Sequence, residues 1–281
     1  MPNNIHWFPG HMNKALHEVE EKLKLIDVVI ELFDSRAPLS SVNEQLEKRI
    51  QHKKKVIVIT KSDLADPAQT GKWQKHFTTP DAEVIVANLT DKNFFNTISQ
   101  AVIRQGKSKW AKEMARGMKP QPIRTMIIGI PNVGKSSLVN LLSKRKAAGV
   151  QNKPGFTRGE QWIKVNKDFL LLDTPGILPM SYENKEKAAN LALIGSIRED
   201  ILPNSDLVDF LLQYLKKRYP NALENRFDIK EIGEQKDVCK QVANKRGLLT
   251  SNGQLSLDKA NDLILKEFKD GLLGRITLEW L

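Results

Sequence analysis

The sequence predicts an α/β fold: a doubly wound, mostly parallel sheet, followed by a small all-α C-terminal domain. Three observations lead there. Over residues 25–175, apolar runs of strand length alternate with helix-like stretches. The runs are nearly continuous in apolar residues, as strands buried on both faces of a parallel sheet are. After about Ser181 they cease, and only helical patterns remain.

In chain order, residues 11–24 read as an amphipathic helix, with Ala15, Val19, Leu23 and Leu25 near one face. DVVIELFD (27–34) is the first buried strand, and SRAPLSS turns through Pro38 into a helix at about 42–50. KKKVIVIT (53–60) is the second strand, and a helix begins near Pro67 or Thr70. EVIVAN (83–88) is the third strand, followed by a helix at about 93–105 and a basic stretch to Lys119. PQP (120–122) breaks the chain before the strand RTMIIGI (124–130) and the helix 134–145. QWIKV (161–165) and DFLLLD (168–173) form a strand pair turning at Asn166-Lys167. Helices are expected at 184–200, 204–218, 235–246 and 256–270. The expected division is 1–180 for the sheet domain and 181–281 for the helical domain.

Cys239 is the only cysteine, so no intramolecular disulfide forms, and the five histidines lack zinc-ligand spacing. No apolar run is long enough to span a membrane, and the first residues do not read as a secretory signal. A cytoplasmic protein without membrane contact is expected. The net charge of +11 is confined to one segment: residues 101–160 hold 13 Lys/Arg and 2 Asp/Glu, and the rest holds 31 of each. Such confinement fits a partner with a phosphate backbone better than general solvation does.

Gly129-Ile-Pro-Asn-Val-Gly134-Lys135-Ser136 matches G-x-x-x-x-G-K-[ST] between a strand and a helix, the context in which that motif cradles phosphates. Asn132, Val133, Gly134, Lys135, Ser136 and Ser137 are therefore candidate phosphate contacts, with Lys135 reaching β- and γ-oxygens and Ser136 binding Mg²⁺. Asp173-Thr174-Pro175-Gly176 ends the strand DFLLLD; Asp173 would hold Mg²⁺ through water, and the Gly176 N–H would sense a γ-phosphate. Thr157, in the loop between these elements, is a further Mg²⁺ candidate.

Thr60-Lys61-Ser62-Asp63 ends the second strand. In Asn-Lys-x-Asp loops the aspartate accepts from guanine N1–H and N2–H₂, and the lysine stem lies along the base. Thr60 replaces the asparagine, so one polar contact near the base is weakened or rearranged. Ala87-Asn88, ending the next strand, would back guanine O6 with an N–H. The order is thus base-reading loop, backing loop, phosphate loop, switch threonine, DxxG: complete but rotated. Circular permutation keeps every strand-end loop on one carboxyl edge of the sheet.

These features resemble the circularly permuted P-loop GTPases, most closely the bacterial ribosome biogenesis GTPase A family. WFPGHMNKA (7–15), ELFDSRAPLSS (31–41), IIGIPNVGKSSL (127–138), KPGFTRGEQW (153–162) and LLDTPGIL (171–178) carry the likeness. The resemblance implies GTP hydrolysis to GDP, stimulated by the ribosome and coupled to late assembly of the large subunit. It implies ribosomal RNA and proteins of the large-subunit precursor as partners, and a monomer off the ribosome. The helical domain would be a second RNA contact. Ile177 stands where many GTPases place a water-orienting glutamine. The family offers His11 for that role, and Asn132 resembles the asparagine that supports K⁺ in potassium-activated GTPases. Arg158 stands where the family often has a second threonine. A regulatory switch with a protein partner, and an ATPase or nucleotide kinase, are the rival readings.

Overall fold

The computed structural model describes residues 5–6, 19–143, 162–172, 181–182, 184–197 and 202–281. Its centre is a six-stranded sheet built from β2 (Val28–Asp34), β3 (Lys54–Thr60), β4 (Ala82–Val86), β5 (Ile123–Gly129), β6 (Trp162–Lys164) and β7 (Phe169–Leu172). The strand order is β4-β3-β2-β5-β7-β6, and every pairing is parallel except β6 with β7. Counted as though the chain began at β5, the order reads 2-3-1-4-5-6, a doubly wound sheet with the phosphate-loop strand inside it. The short strand β1 (Ile5–His6) pairs antiparallel with β8 (Ser181–Tyr182).

Local chemistry sets the elements. Every residue of β2 is buried, which a continuous apolar run achieves when helices cover both sheet faces. α1 (Glu44–Ile50) starts at Asn43, whose side chain accepts from the N–H groups of Gln45 and Leu46. α2 (Pro67–Phe77) starts at Asp66 in the same way, with Pro67 in the first helical position. Asn166 Oδ1 accepts from the N–H groups of Asp168 and Phe169, closing the β6–β7 turn.

The helix expected at 93–105 is longer than its apolar pattern: α3 (Phe94–Ala115) continues into the basic stretch as far as Ala115. A Cβ on Gly106 would lie 2.3 Å from Ile123 Cδ1, so the glycine lets the helix pack on the start of β5. Beyond it α3 leaves the sheet, and charge replaces apolar spacing. Lys109 is used internally, paired with Asp27 at 3.2 Å and Glu113 at 3.6 Å. Lys107, Lys112, Arg116 and Lys119 are exposed.

α4 (Lys135–Ser143) follows the phosphate loop. The helical region consists of α5 (Lys185–Leu193), α6 (Asn204–Arg218), α7 (Ala222–Phe227), α8 (Gln235–Arg246) and α9 (Leu257–Lys269). The short α7 was not expected; it ends on Asp228 in the left-handed conformation, φ 54°. α5 is buried from Ala188 to Leu193, and one hydrophobic cluster continues from Val28 and Ile127 of the sheet to Leu211 and Ile264 of the helices. Among the described residues no helix is long and apolar enough to cross a membrane.

One polar side chain interrupts β2. Glu31 is 3% exposed, and among the described residues its Oε2 has no hydrogen-bond partner. Burial, aided by the nearby Glu47 carboxylate and opposed by Lys55, pushes its carboxyl up to about 8. The folded chain therefore holds a proton that the unfolded chain releases, so this group's contribution falls as pH rises from 4.5 to about 8. Glu31→Gln keeps the neutral shape. Its stability gain over the parent chain should be greater at pH 8 than at pH 5, by on the order of 3 kcal/mol. Urea unfolding at both pH values measures this; equal gains would contradict it.

Candidate nucleotide site

Strand register assembles the site. β2 pairs with β3 so that Asp34 lies beside Thr60, and with β5 so that Leu32 lies beside Gly129. β4 aligns Val86 with Ile59. The loops after β2, β3, β4 and β5 therefore leave the same carboxyl edge, where doubly wound sheets bind ligands.

The phosphate loop turns through Asn132 at φ 57° and Gly134 at φ 109°. A Cβ on Gly134 would meet Leu89 Cδ1 at 3.1 Å, so the loop after β4 packs directly against it. Val133 is fully buried, while Ser136 and Ser137 are exposed on the first turn of α4. The N-terminus of that helix offers positive potential to an anion. Lys135 Nζ donates to the carbonyls of Ile130 at 2.6 Å and Gly129 at 3.1 Å. Asn132 Nδ2 donates to Gly195 O at 2.7 Å, in the turn after α5. That bond fixes the orientation of the amide.

The Thr60 hydroxyl reaches Val133 O at 2.7 Å and Phe33 O at 3.1 Å. Its single proton serves one carbonyl at a time, and the shorter contact ties the 60–63 loop to the phosphate loop. Lys61 adopts φ 55°, and Ser35 Oγ donates to its carbonyl at 2.8 Å. Asp63 is exposed, and Ser62 is half-buried with its N–H 3.5 Å from Ala87 O. The Ala87 N–H donates to Ile59 O at 2.9 Å. It continues the ladder, so Ala87 supplies packing rather than a donor to a base. Asn88 Oδ1 accepts from Thr90 N at 3.0 Å and Thr90 Oγ1 at 2.8 Å, closing the backing loop.

Asp34, Ser35 and Arg36, to which the motifs assign no role, underlie this loop. Asp34 is fully buried at the end of β2. Arg36 grips it from Nε at 3.0 Å and Nη2 at 2.8 Å, and Lys61 Nζ lies 2.8 Å from Oδ2. Burial alone would push the Asp34 carboxyl up, but Arg36 and then Lys61 overcome it and hold it at about 2. The available signal was a carboxylate ending an apolar strand with an arginine two residues on.

His11, Thr157, Asp173 and Gly176 lie outside the described residues. Of the Mg²⁺ candidates only Ser136 is described. Ser136 is exposed, and its hydroxyl is a hard oxygen ligand of the kind Mg²⁺ takes alongside phosphate oxygens and water. The residue fits the ion.

A family model described as 50S ribosome-binding GTPase matches residues 124–245. Its match starts in the strand leading to the phosphate loop, as a rotated chain order requires. Ribosome biogenesis GTPase A of Bacillus pumilus is 41% identical over 276 residues, covering 98% of each chain. The protein named probable ribosome biogenesis GTPase A in Mycoplasma pneumoniae is 30% identical over 98% of this chain and 96% of its own. The structure of GNP-bound YlqF from T. maritima superposes with a TM-score of 0.65 at 24% identity, covering 95% of this chain and 98% of that one; a GDP-bound YlqF structure gives 0.67. The structural likeness establishes the fold. The relatives' identity over nearly the whole length goes further: this chain belongs to the ribosome biogenesis GTPase A family.

Proposed function

We propose that this protein binds the immature large ribosomal subunit in its GTP-loaded form and leaves after hydrolysis, late in assembly. The family makes it a GTPase of ribosome biogenesis, acting on guanine nucleotide with Mg²⁺. The observation that supports the nucleotide part of this reading is the Thr60 Oγ1–Val133 O contact at 2.7 Å, which ties residues 60–63 to the phosphate loop. In this reading Asp63 accepts from the guanine edge, with Ser62 and Asn88 beside it. Lys135 exchanges its loop carbonyls for β- and γ-phosphate oxygens. Ser136, with Thr157 and Asp173, holds Mg²⁺, which neutralises charge on those oxygens. Asn132 offers Oδ1 to a K⁺ ion, His11 positions water, and Gly176 senses the γ-phosphate. The chain divides at about 180, and residues 181–281 supply a second RNA contact. Off the ribosome the protein is a monomer.

The exposed cations in the second half of α3 and just after it are the RNA-facing group. GTP turnover should rise on adding large ribosomal subunits. Co-sedimentation in a non-hydrolysable GTP analogue should weaken steeply with salt. Replacing Lys107, Lys112, Arg116 and Lys119 by alanine should flatten that dependence by roughly one unit of slope for each phosphate no longer neutralised. Unchanged turnover together with no co-sedimentation would favour a protein partner. The same assay in Na⁺ against K⁺, and with His11→Ala, tests the cation and the histidine.

A further inference from the structure

Residues 271–279 form a strap across the base-reading loop, although they lie more than two hundred positions away in sequence. Arg275 Nη2 donates to Ser62 O at 2.7 Å, and Nε donates to Ala65 O at 2.9 Å. The Ile276 N–H donates to Leu64 O at 3.1 Å, and the Asp66 N–H donates to Thr277 Oγ1 at 3.1 Å. Gly271, at φ 74°, lies so close that a Cβ would sit 2.7 Å from Leu64 Cδ2. The carbonyls on both sides of Asp63 are thus held from outside the loop.

The strap is itself anchored. Leu278 N–H donates to Arg36 O at 2.7 Å, and Trp73 Nε1 donates to Glu279 O at 2.9 Å. Glu279 accepts from the N–H groups of Leu39 and Ser40 at 2.6 and 2.9 Å. Arg36 Nη1 donates to Lys269 O at 3.2 Å, so the end of α9 also supports the arginine that holds Asp34. None of these contacts touches the phosphate loop.

We propose that Arg275 is a positioning residue for guanine recognition: its two bonds hold the 62–65 backbone so that the Asp63 carboxylate meets the base already ordered. This rests on Asp63 being the base reader. An exposed polar loop must otherwise be ordered when the base binds, and that cost comes out of affinity. A planar guanidinium holds its Nε–H and Nη–H donors in a fixed fork that spans the two carbonyls; an ammonium is a compact charge on a flexible stem and fixes their spacing less well. Because Arg275 is exposed, its removal returns both carbonyls to water and spares the core. By linkage, a partner that shifts the strap on binding α9 would alter nucleotide affinity, and the nucleotide would alter partner affinity equally.

The test uses full-length Arg275→Ala and Arg275→Lys with a fluorescent GDP analogue. Arg275→Ala should speed analogue release about tenfold and raise the KM for GTP by a similar factor. Saturated turnover should stay within about twofold, and Tm within about 2 °C. Arg275→Lys should recover about half of the loss on a logarithmic scale. Release within about twofold of the parent rate would overturn the proposal, as would a joint fall of turnover and Tm, which marks a merely structural role. Asp63→Asn run beside them separates the two claims. If it shifts base preference while Arg275→Ala does nothing, only the strap idea falls. If it shifts nothing, the base reader is misassigned and the positioning role falls with it.

Discussion

Asp63→Asn is expected to lower GTP affinity by about 10²–10⁴-fold and to turn the protein toward xanthosine triphosphate. A carboxylate offers guanine two acceptor oxygens facing N1–H and N2–H₂. An asparagine puts an NH₂ against one of those donors, which leaves two hydrogen-bond donors opposed. Xanthine carries a carbonyl where guanine carries the amine, so the amide pairs with it. Asp63 is exposed, and the substitution therefore acts on recognition with little effect on folding. Competition of GTP and xanthosine triphosphate for a fluorescent nucleotide measures the change. A preference for GTP equal to that of the parent chain would remove Asp63 from the site.

Asp34→Ala is expected to destabilise the fold by about 3–5 kcal/mol, read as a fall in Tm on the order of 10 °C. Arg36 has only 3% of its side chain exposed. Without its carboxylate it is a buried charge with no counter-ion, and that costs more than the pair itself contributes. Lys61 loses its anchor in the same step, so guanine nucleotide affinity should fall as well. The pH dependence has a defined sign. The folded carboxyl titrates at about 2 against an ordinary value of 3.8, so the native state binds fewer protons in that window. The stability it contributes is present above 3.8 and lost as pH falls through about 2. Asp34→Asn should flatten this part of the acid unfolding curve. If Tm and nucleotide affinity both match the parent chain, Asp34 does not support the loop.

The sheet was legible because its signals are local. Four apolar runs became β2 to β5 within a residue or two of the expected bounds, since parallel strands must bury both faces. The phosphate loop was legible because its glycines and lysine are contiguous. The base-reading tetrapeptide was weaker, and its place in the chain order supported it only once the loops were taken as a rotated set. The continuity of α3 was only partly legible, because its second half carries charge in place of a sustained apolar period, with Trp110 packed against the core. Thr60 shows a subtler limit. The sequence indicated a missing asparagine amide, and the fold provides a hydroxyl tie to Val133, which depends on β3 lying two strands from β5 across β2.

The strap and its link to Arg36 were out of reach for a stronger reason. Arg36 meets Lys269, and Arg275 meets Ser62, across separations of 233 and 213 residues. No periodicity encodes such a pair, and arginines and carboxylates are common on any surface. By itself, the sequence determined which segments become buried strands and which loop is the phosphate loop, and it marked Asp63 as the candidate base reader. Those properties follow from side-chain type at short spacing. Only the tertiary structure decided that a buried carboxylate organises the base-reading loop and that residues 271–279 hold it. Those contacts arise from strand register and helix packing, which bring together groups that the chain keeps far apart.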